Sequence, residues 1–194
     1  MNIKILPIII IMSYLCCYAG TNDLMTVTLP DFKNSTRREL SRATYLLIEE
    51  RKKQVEYMIS QFQDEQTSID SKGYIIYTLG KLRYYDAIPF LIENIDFDAH
   101  SDKSRHYYML ETVIKYPAML SLIELGTPAM KAILTALKTE TNPRRRHLML
   151  FTIRQKEGGR GKTFIETELK YRNASSNYID SVITEYEAVK SLSR

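Results

Sequence analysis

The chain is poor in residues that form cross-links or attack substrates covalently. Its 194 residues include no tryptophan and two cysteines, Cys16 and Cys17, both near the N-terminus. Removal of that segment would leave a chain without a disulfide, a thiol nucleophile or a CxxC redox site. The fold must then be held by packing alone.

Breakers of regular structure are also scarce, and neither sign of charge dominates. The chain has 7 glycines and 6 prolines, and its net charge is only +4. A composition of 44% hydrophobic and 26% charged residues is that of an ordinary globular domain, which excludes collagen-like and disordered classes. The aromatic residues are mainly the 14 tyrosines, and most of these rings are predicted to pack in the core.

The N-terminus has the pattern of a secretory signal peptide. A basic start, Met1 to Lys4, precedes the apolar run Ile5 to Leu15 and the small-x-small sequence Cys17-Tyr18-Ala19. We expect cleavage after Ala19 and a secreted or periplasmic protein.

Two other fates of this leader stay open. The apolar run is shorter than the roughly 20 residues that cross a bilayer, which disfavours an uncleaved anchor. Lipidation at Cys16 or Cys17 would fix the protein to the envelope, although Tyr14 and Leu15 are not the small residues that a lipoprotein signal prefers.

An apolar pattern recurs along the chain at intervals of roughly 30 to 45 residues. Segments beginning at Val55, Ile88 and Met130 each have apolar residues at the first, fourth and fifth positions, which is one face of a helix. A second amphipathic run precedes each segment: Leu40, Ala43, Leu46 and Leu47; Ile75, Ile76, Leu79 and Leu82; Leu110, Val113, Ile114, Met119, Leu122 and Ile123. Each unit is therefore predicted to be a pair of helices.

Two of these units resemble the HEAT family, in particular its short bacterial repeats. Leu79-Gly80 followed by Ala87-Ile88-Pro89 is similar to the family's turn between two helices, and so is Leu122 to Gly126 followed by Pro128-Ala129-Met130. The resemblance covers roughly Ser35 to Leu137.

The resemblance implies an all-α fold: an α-solenoid of about four antiparallel helix pairs with a C-terminal capping helix. It also implies a non-catalytic scaffold for protein–protein interactions, without a cofactor. The first unit departs from the pattern, because it has Arg51 where the third has Gly126. In this interpretation residues 1–19 are the signal peptide, 20–34 a flexible segment and 35–194 the repeat domain.

Capping residues and prolines predict the helix ends. Asp86 before Pro89, Thr127 before Pro128, and Asn142 before Pro143 are expected to begin helices. Pro117 interrupts the apolar run from Ser104 to Leu125, so we expect a bend or a helix boundary near Tyr116.

The fourth unit and a closing helix complete the domain. The fourth unit is predicted as Pro143 to Gln155, a loop from Lys156 to Lys162, and Thr163 to Tyr171. The last helix, from about Ser175 to Ser191, should bury Ile179, Val182, Ile183, Tyr186 and Val189 and expose its polar face, as a terminal repeat must.

Two surfaces are candidates for binding. The groove formed by the second helices would be flanked by Glu56, Glu93 and Lys131, which are the predicted protein-binding residues. Basic residues outnumber acidic ones from Thr141 to Arg172, which predicts a surface for an anionic polymer. Its candidate anion-binding residues are Arg144, Arg145, Arg146, Arg160 and Lys162. The sequence shows no module for sequence-specific nucleic-acid recognition.

No catalytic or metal-binding set is predicted. The glycine-rich run at Gly158 lacks the spacing of a P-loop, because Lys156 stands where the first glycine is required. Asp96, Asp98 and Asp102 alternate as in a calcium loop, but the required glycine and glutamate are absent. The three histidines His100, His106 and His147 do not have the spacing of zinc ligands.

Overall fold

The structure is a computed structural model that describes residues 37–99 and 115–191, with side chains over 48–99 and 115–189. The chain divides into two units, Met1–Glu50 and Arg51–Arg194. The first unit is described only as the beginning of one helix, and the packing below lies within the second unit.

All regular secondary structure in the described ranges is helical, which confirms the all-α prediction. The helices are α1 (Arg37–Gln63), α2 (Ile69–Lys81), α3 (Ile88–Glu93), α4 (Pro117–Leu125), α5 (Thr127–Ala136), α6 (Pro143–Glu157), α7 (Gly161–Tyr171) and α8 (Ser176–Ser191). Two short 3₁₀ turns, Tyr85–Ala87 and Gly158–Arg160, lead into α3 and α7. None of the helices within the described residues combines the length and apolarity needed to span a membrane.

The repeating apolar positions lie in the core, as predicted. Val55, Ile88 and Met130 are all buried, and so are the fourth and fifth positions of the second and third segments. The same holds for the predicted inner face of α8: Ile179, Val182, Ile183, Tyr186 and Val189. Burial of large aliphatic side chains stabilises the fold by about 1.5–3 kcal/mol each.

Two predicted helix boundaries are confirmed. Asn142 has extended backbone angles, and its side chain accepts hydrogen bonds from the backbone N–H groups of Arg144 and Arg145, with Pro143 at the first helical position. α4 begins at Pro117, directly after Tyr116, because a proline in the first turn loses no helical hydrogen bond.

Two predicted caps are wrong. Asp86 does not cap α3, because the chain enters this helix through the 3₁₀ turn and Ala87 already has right-handed helical angles. Thr127 lies inside α5 as its first residue. Gly126, with φ 74°, ends α4 and also precedes α5, so a single residue makes the turn.

The first predicted helix pair is also wrong, because one continuous helix, α1, runs from Arg37 to Gln63. The two helices predicted for this unit are therefore not separated by a turn. This stretch contains no glycine or proline, and Arg51 to Gln54 are all good helix formers, so nothing in the sequence interrupts the helix.

Several predictions fall on residues outside the described ranges. These are the leader 1–19 with Cys16 and Cys17, the segment 20–34, the run Leu110 to Ile114, and the residues His100, Asp102 and His106.

α2 makes its most extensive contacts with α4, and a small residue permits them. A Cβ added at Gly80 would lie 2.5 Å from the Cβ of Ser121 on α4. At the same crossing the buried Ser121 hydroxyl donates a hydrogen bond of 2.7 Å to the Ile76 carbonyl. The two backbones therefore meet at a distance that only glycine allows on α2.

We predict that Gly80→Ala destabilises the protein by about 1–3 kcal/mol in urea unfolding, because the new methyl group forces α2 away from α4. Alanine is otherwise the better helix former, so a purely local effect would stabilise. Gly159→Ala is the matched control, because a Cβ there meets nothing within 4 Å. Equal stability of both variants and wild type would contradict the close crossing.

Candidate functional site

Three consecutive arginines occupy the first turn of α6. Asn142 caps this helix, and its side chain holds the backbone N–H groups of Arg144 at 2.9 Å and Arg145 at 3.3 Å. The cap fixes where the three side chains begin. Each of them then reaches a different neighbour.

Arg145 binds the end of α3. Its Nη1 donates to the Glu93 carbonyl at 2.6 Å and its Nη2 to the Ile92 carbonyl at 3.3 Å. The last carbonyls of a helix have no partner within the helix, so Arg145 supplies donors that α3 lacks. Its side chain also forms ion pairs with Glu140 at 2.7 Å and Asp96 at 3.3 Å.

Arg146 connects the end of α5 with α8. Its Nη1 donates to the carbonyls of Leu137 at 2.7 Å and Glu140 at 2.9 Å. Nε and Nη2 form a two-pronged pair with the Glu185 carboxylate, at 2.9 and 2.8 Å. The hydrogen bonds to Glu185 raise the pKa of Arg146, so the guanidinium stays charged.

Arg144 and Glu140 complete this network. Arg144 Nη2 donates to the Tyr116 hydroxyl at 2.7 Å, and its guanidinium carbon lies 5.5 Å from the centre of that ring. The Asn142 backbone N–H donates to Glu140 at 2.8 Å. This bond, followed by that from Arg145, lowers the pKa of Glu140. The three arginines are thus engaged within the protein.

The remaining basic residues of the region differ in their engagement. Lys162 pairs with Glu187 at 2.8 Å, which raises the pKa of the lysine. Lys156 and Arg160 are exposed, and neither forms an ion pair with a residue that the structure describes. Among the five candidate anion-binding residues, Arg160 is therefore the one whose side chain forms no hydrogen bond or ion pair with a described residue.

The candidate protein-binding residues Glu56, Glu93 and Lys131 are all exposed, on α1, α3 and α5. Lys131 forms an ion pair of 2.8 Å with Glu168 of α7. The carbonyl of Glu93 accepts from Arg145, while its side chain points to solvent. In the described part of the chain, no hydrogen bond or ion pair joins any two of these three side chains.

The residues considered for metal binding have other partners. Asp96 pairs with Arg145, and Asp98 with Lys115 at 3.3 Å. Over the ranges 48–99 and 115–189, no three His, Cys, Asp or Glu side chains cluster as a metal site would require. His147 stacks on Phe151 with ring centres 6.3 Å apart.

An open cleft of about 390 Å³ lies between the start of α6 and the end of α8. Its lining is mostly apolar, and the Arg146–Glu185 pair forms one wall. The lining residues are Pro143, Arg146, His147, Leu150, Glu185, Ala188 and Val189. The cleft therefore offers mainly hydrophobic surface.

A further surface, which the sequence interpretation missed, lies on the outward face of α2. Tyr74 is 71% exposed and Tyr77 is 37% exposed, and their ring centres lie 6.1 Å apart. Asp70 and Lys81 lie on the same helical face, four residues before Tyr74 and after Tyr77. We call these four residues the tyrosine stripe. The spacing was visible in the sequence, but tyrosines at helical spacing were predicted to fill the core.

The helix that carries the tyrosine stripe, α2, is packed into the core through its other residues. Ile76 and Leu79 are buried on the far side of α2, and Gly73 and Gly80 are buried beside the stripe. At its C-terminal end, Lys81 pairs with Glu124 of α4 at 2.5 Å, and the Lys81 Nζ lies 5.5 Å from the centre of the Tyr77 ring. The hydrogen bond to Glu124 raises the pKa of Lys81.

Comparison of the chain with protein-family models, with curated proteins and with solved structures finds no match.

We predict that Arg145→Met destabilises the protein by about 1–3 kcal/mol, because the end of α3 and the Glu140 carboxylate each lose hydrogen bonds from the guanidinium. Methionine keeps an unbranched apolar side chain at this position and removes the donors. Arg160→Met is the matched control and should change stability by less than about 0.5 kcal/mol. Chemical denaturation measures both, and equal effects would contradict the assignment of Arg145 to the end of α3.

Proposed function

We propose that this chain is an exported, non-catalytic, HEAT-like repeat protein that binds other proteins. The all-helical fold and the burial of the repeating positions support the repeat interpretation. The leader pattern at Met1 to Ala19 supports export. α2 with α3, α4 with α5, and α6 with α7 would be the helix pairs, and α8 the closing helix.

The exposed tyrosine pair on α2 is the observation that supports protein binding most directly. A tyrosine ring offers a large apolar face and a polar hydroxyl with few rotatable bonds, and tyrosine is enriched in the centres of protein interfaces. Two adjacent rings on one helical face provide such a centre. Because α2 is packed against α4 from behind, the rings are held by a rigid element.

The predicted groove remains part of the proposal at lower priority. Glu56, Glu93 and Lys131 are accessible, but they are single charged side chains on three helices. Exposed charges contribute little to affinity individually, about 0–1 kcal/mol each. The tyrosine stripe is therefore the first surface to test.

The test is capture of partners from a native envelope extract with tagged wild-type protein and with Tyr74→Ser/Tyr77→Ser. We expect the double variant to capture at least about tenfold less partner than wild type, because each aromatic anchor of an interface contributes on the order of 1–2 kcal/mol. Mass spectrometry quantifies the bound proteins.

Tyr171→Ser is the matched control, since Tyr171 is 84% exposed but lies at the end of α7. It should capture the same partners as wild type. Identical capture by all three proteins would remove the tyrosine stripe as the binding surface. Circular dichroism of each variant confirms that the fold is kept.

A second candidate function is the binding of an anionic envelope polymer. The observation in its favour is the exposure of Lys156 and Arg160 on either side of Gly158 and Gly159, without an ion pair among the described residues. The candidate residues Arg144, Arg145, Arg146 and Lys162 are less suitable probes, because each already bonds within the protein.

We predict that Lys156→Glu/Arg160→Glu weakens binding to dextran sulfate by roughly five- to tenfold at low salt, as exposed ion pairs are lost. Lys52→Glu/Lys53→Glu on α1 makes the same change in net charge at exposed positions and serves as control. Binding that falls equally in both variants would reflect net charge alone. Raising the salt concentration should abolish specific binding.

A further inference from the structure

We infer that the tyrosine stripe docks a second copy of this chain, with the two α2 helices antiparallel. This inference rests on the proposed function and names the partner of the same surface. Its basis is the order of residues along the stripe.

The stripe reads acid, tyrosine, tyrosine, base: Asp70, Tyr74, Tyr77, Lys81. The two tyrosines and the two charges are centred on the same point of the helix, between Ile75 and Ile76. If a second α2 lies antiparallel with its centre at that point, Tyr74 of each copy meets Tyr77 of the other. In the same register, Asp70 of each copy meets Lys81 of the other.

Such a pairing is self-complementary, as a two-fold interface between identical chains requires. A parallel arrangement would instead place Asp70 beside Asp70 and Lys81 beside Lys81, which is unfavourable. The charges therefore select the antiparallel arrangement. The outer charges are about 16 Å apart along a helix with a rise of 1.5 Å per residue.

Both charged groups have hydrogen-bonding capacity left for this arrangement. Asp70 is exposed and forms no ion pair with a described residue. Lys81 bonds Glu124 through one N–H, and a lysine ammonium has three donors. It can therefore bind the carboxylate of a second copy while it keeps Glu124.

The size of the stripe sets the expected strength. One helical face contributes less than the area of a standard protein interface, so dimerisation should be weak, with a Kd on the order of 10–1000 μM.

Sedimentation equilibrium of the protein without residues 1–19, over about 5–500 μM, tests the inference. All charge variants carry Glu124→Gln, so that the charge at position 81 can be changed without repulsion from Glu124. Asp70→Lys alone and Lys81→Asp alone should each weaken dimerisation at least about fivefold, because like charges then face each other. The double variant Asp70→Lys/Lys81→Asp should restore it, because the order of charges is merely reversed.

Tyr74→Ser should abolish the dimer, and Tyr171→Ser should leave it unchanged. A monomer at every concentration, or a dimer that ignores the stripe variants, overturns the inference. If the protein is monomeric but Tyr74→Ser/Tyr77→Ser still loses a captured partner, the inference fails while the proposed function stands. If the dimer forms through the stripe but no other protein is captured, the inference holds and the partner is the second copy alone.

Discussion

Arg145 and Arg146 donate hydrogen bonds to carbonyls at the C-terminal ends of the preceding helices. α3 has only 6 residues, so most of its carbonyls are terminal and cannot be satisfied within the helix. Arg145 reaches two of them from α6, and Arg146 reaches Leu137 beyond the end of α5. A guanidinium can do this because its five donors are spread in a rigid plane. The cap at Asn142 aligns both side chains, so one turn of α6 joins α3, α5 and α8.

This use of arginine changes the meaning of the basic C-terminal region. The positive excess between Thr141 and Arg172 is partly balanced by acids that lie outside that stretch, namely Asp96, Glu140, Glu185 and Glu187. A count over that stretch leaves them out, because Glu185 and Glu187 come from α8, Asp96 follows α3, and Glu140 lies directly before the stretch. The three arginines of α6 that were predicted to bind a polymer therefore stabilise the fold instead. The side chains that remain available to a partner are Lys156, Arg160 and the tyrosine stripe on α2.

Sequence periodicity predicted the fold where the physics is local. Apolar residues at helical spacing identified the buried faces of α5 and α8, and that of α2 except for Leu82, which is exposed at the helix end. Asn142 and Pro117 marked helix starts through their own backbone preferences. The prediction was wrong for the first unit, where a helix pair was expected in a stretch that contains no glycine or proline. It was also wrong at Asp86 and Thr127. A 3₁₀ turn leads into α3 and Gly126 turns the chain before α5, so neither residue occupies the capping position. The exposed side of α2 was missed since tyrosine spacing alone does not show which face is buried.

The first turn of α6 holds neighbouring helices together through its arginines. Hydrogen–deuterium exchange of Arg146→Met against wild type tests this directly, because it reports opening helix by helix. We expect faster exchange in α8 and at the end of α5, with exchange in α2 unchanged. Protection that stays the same in α8 would contradict it.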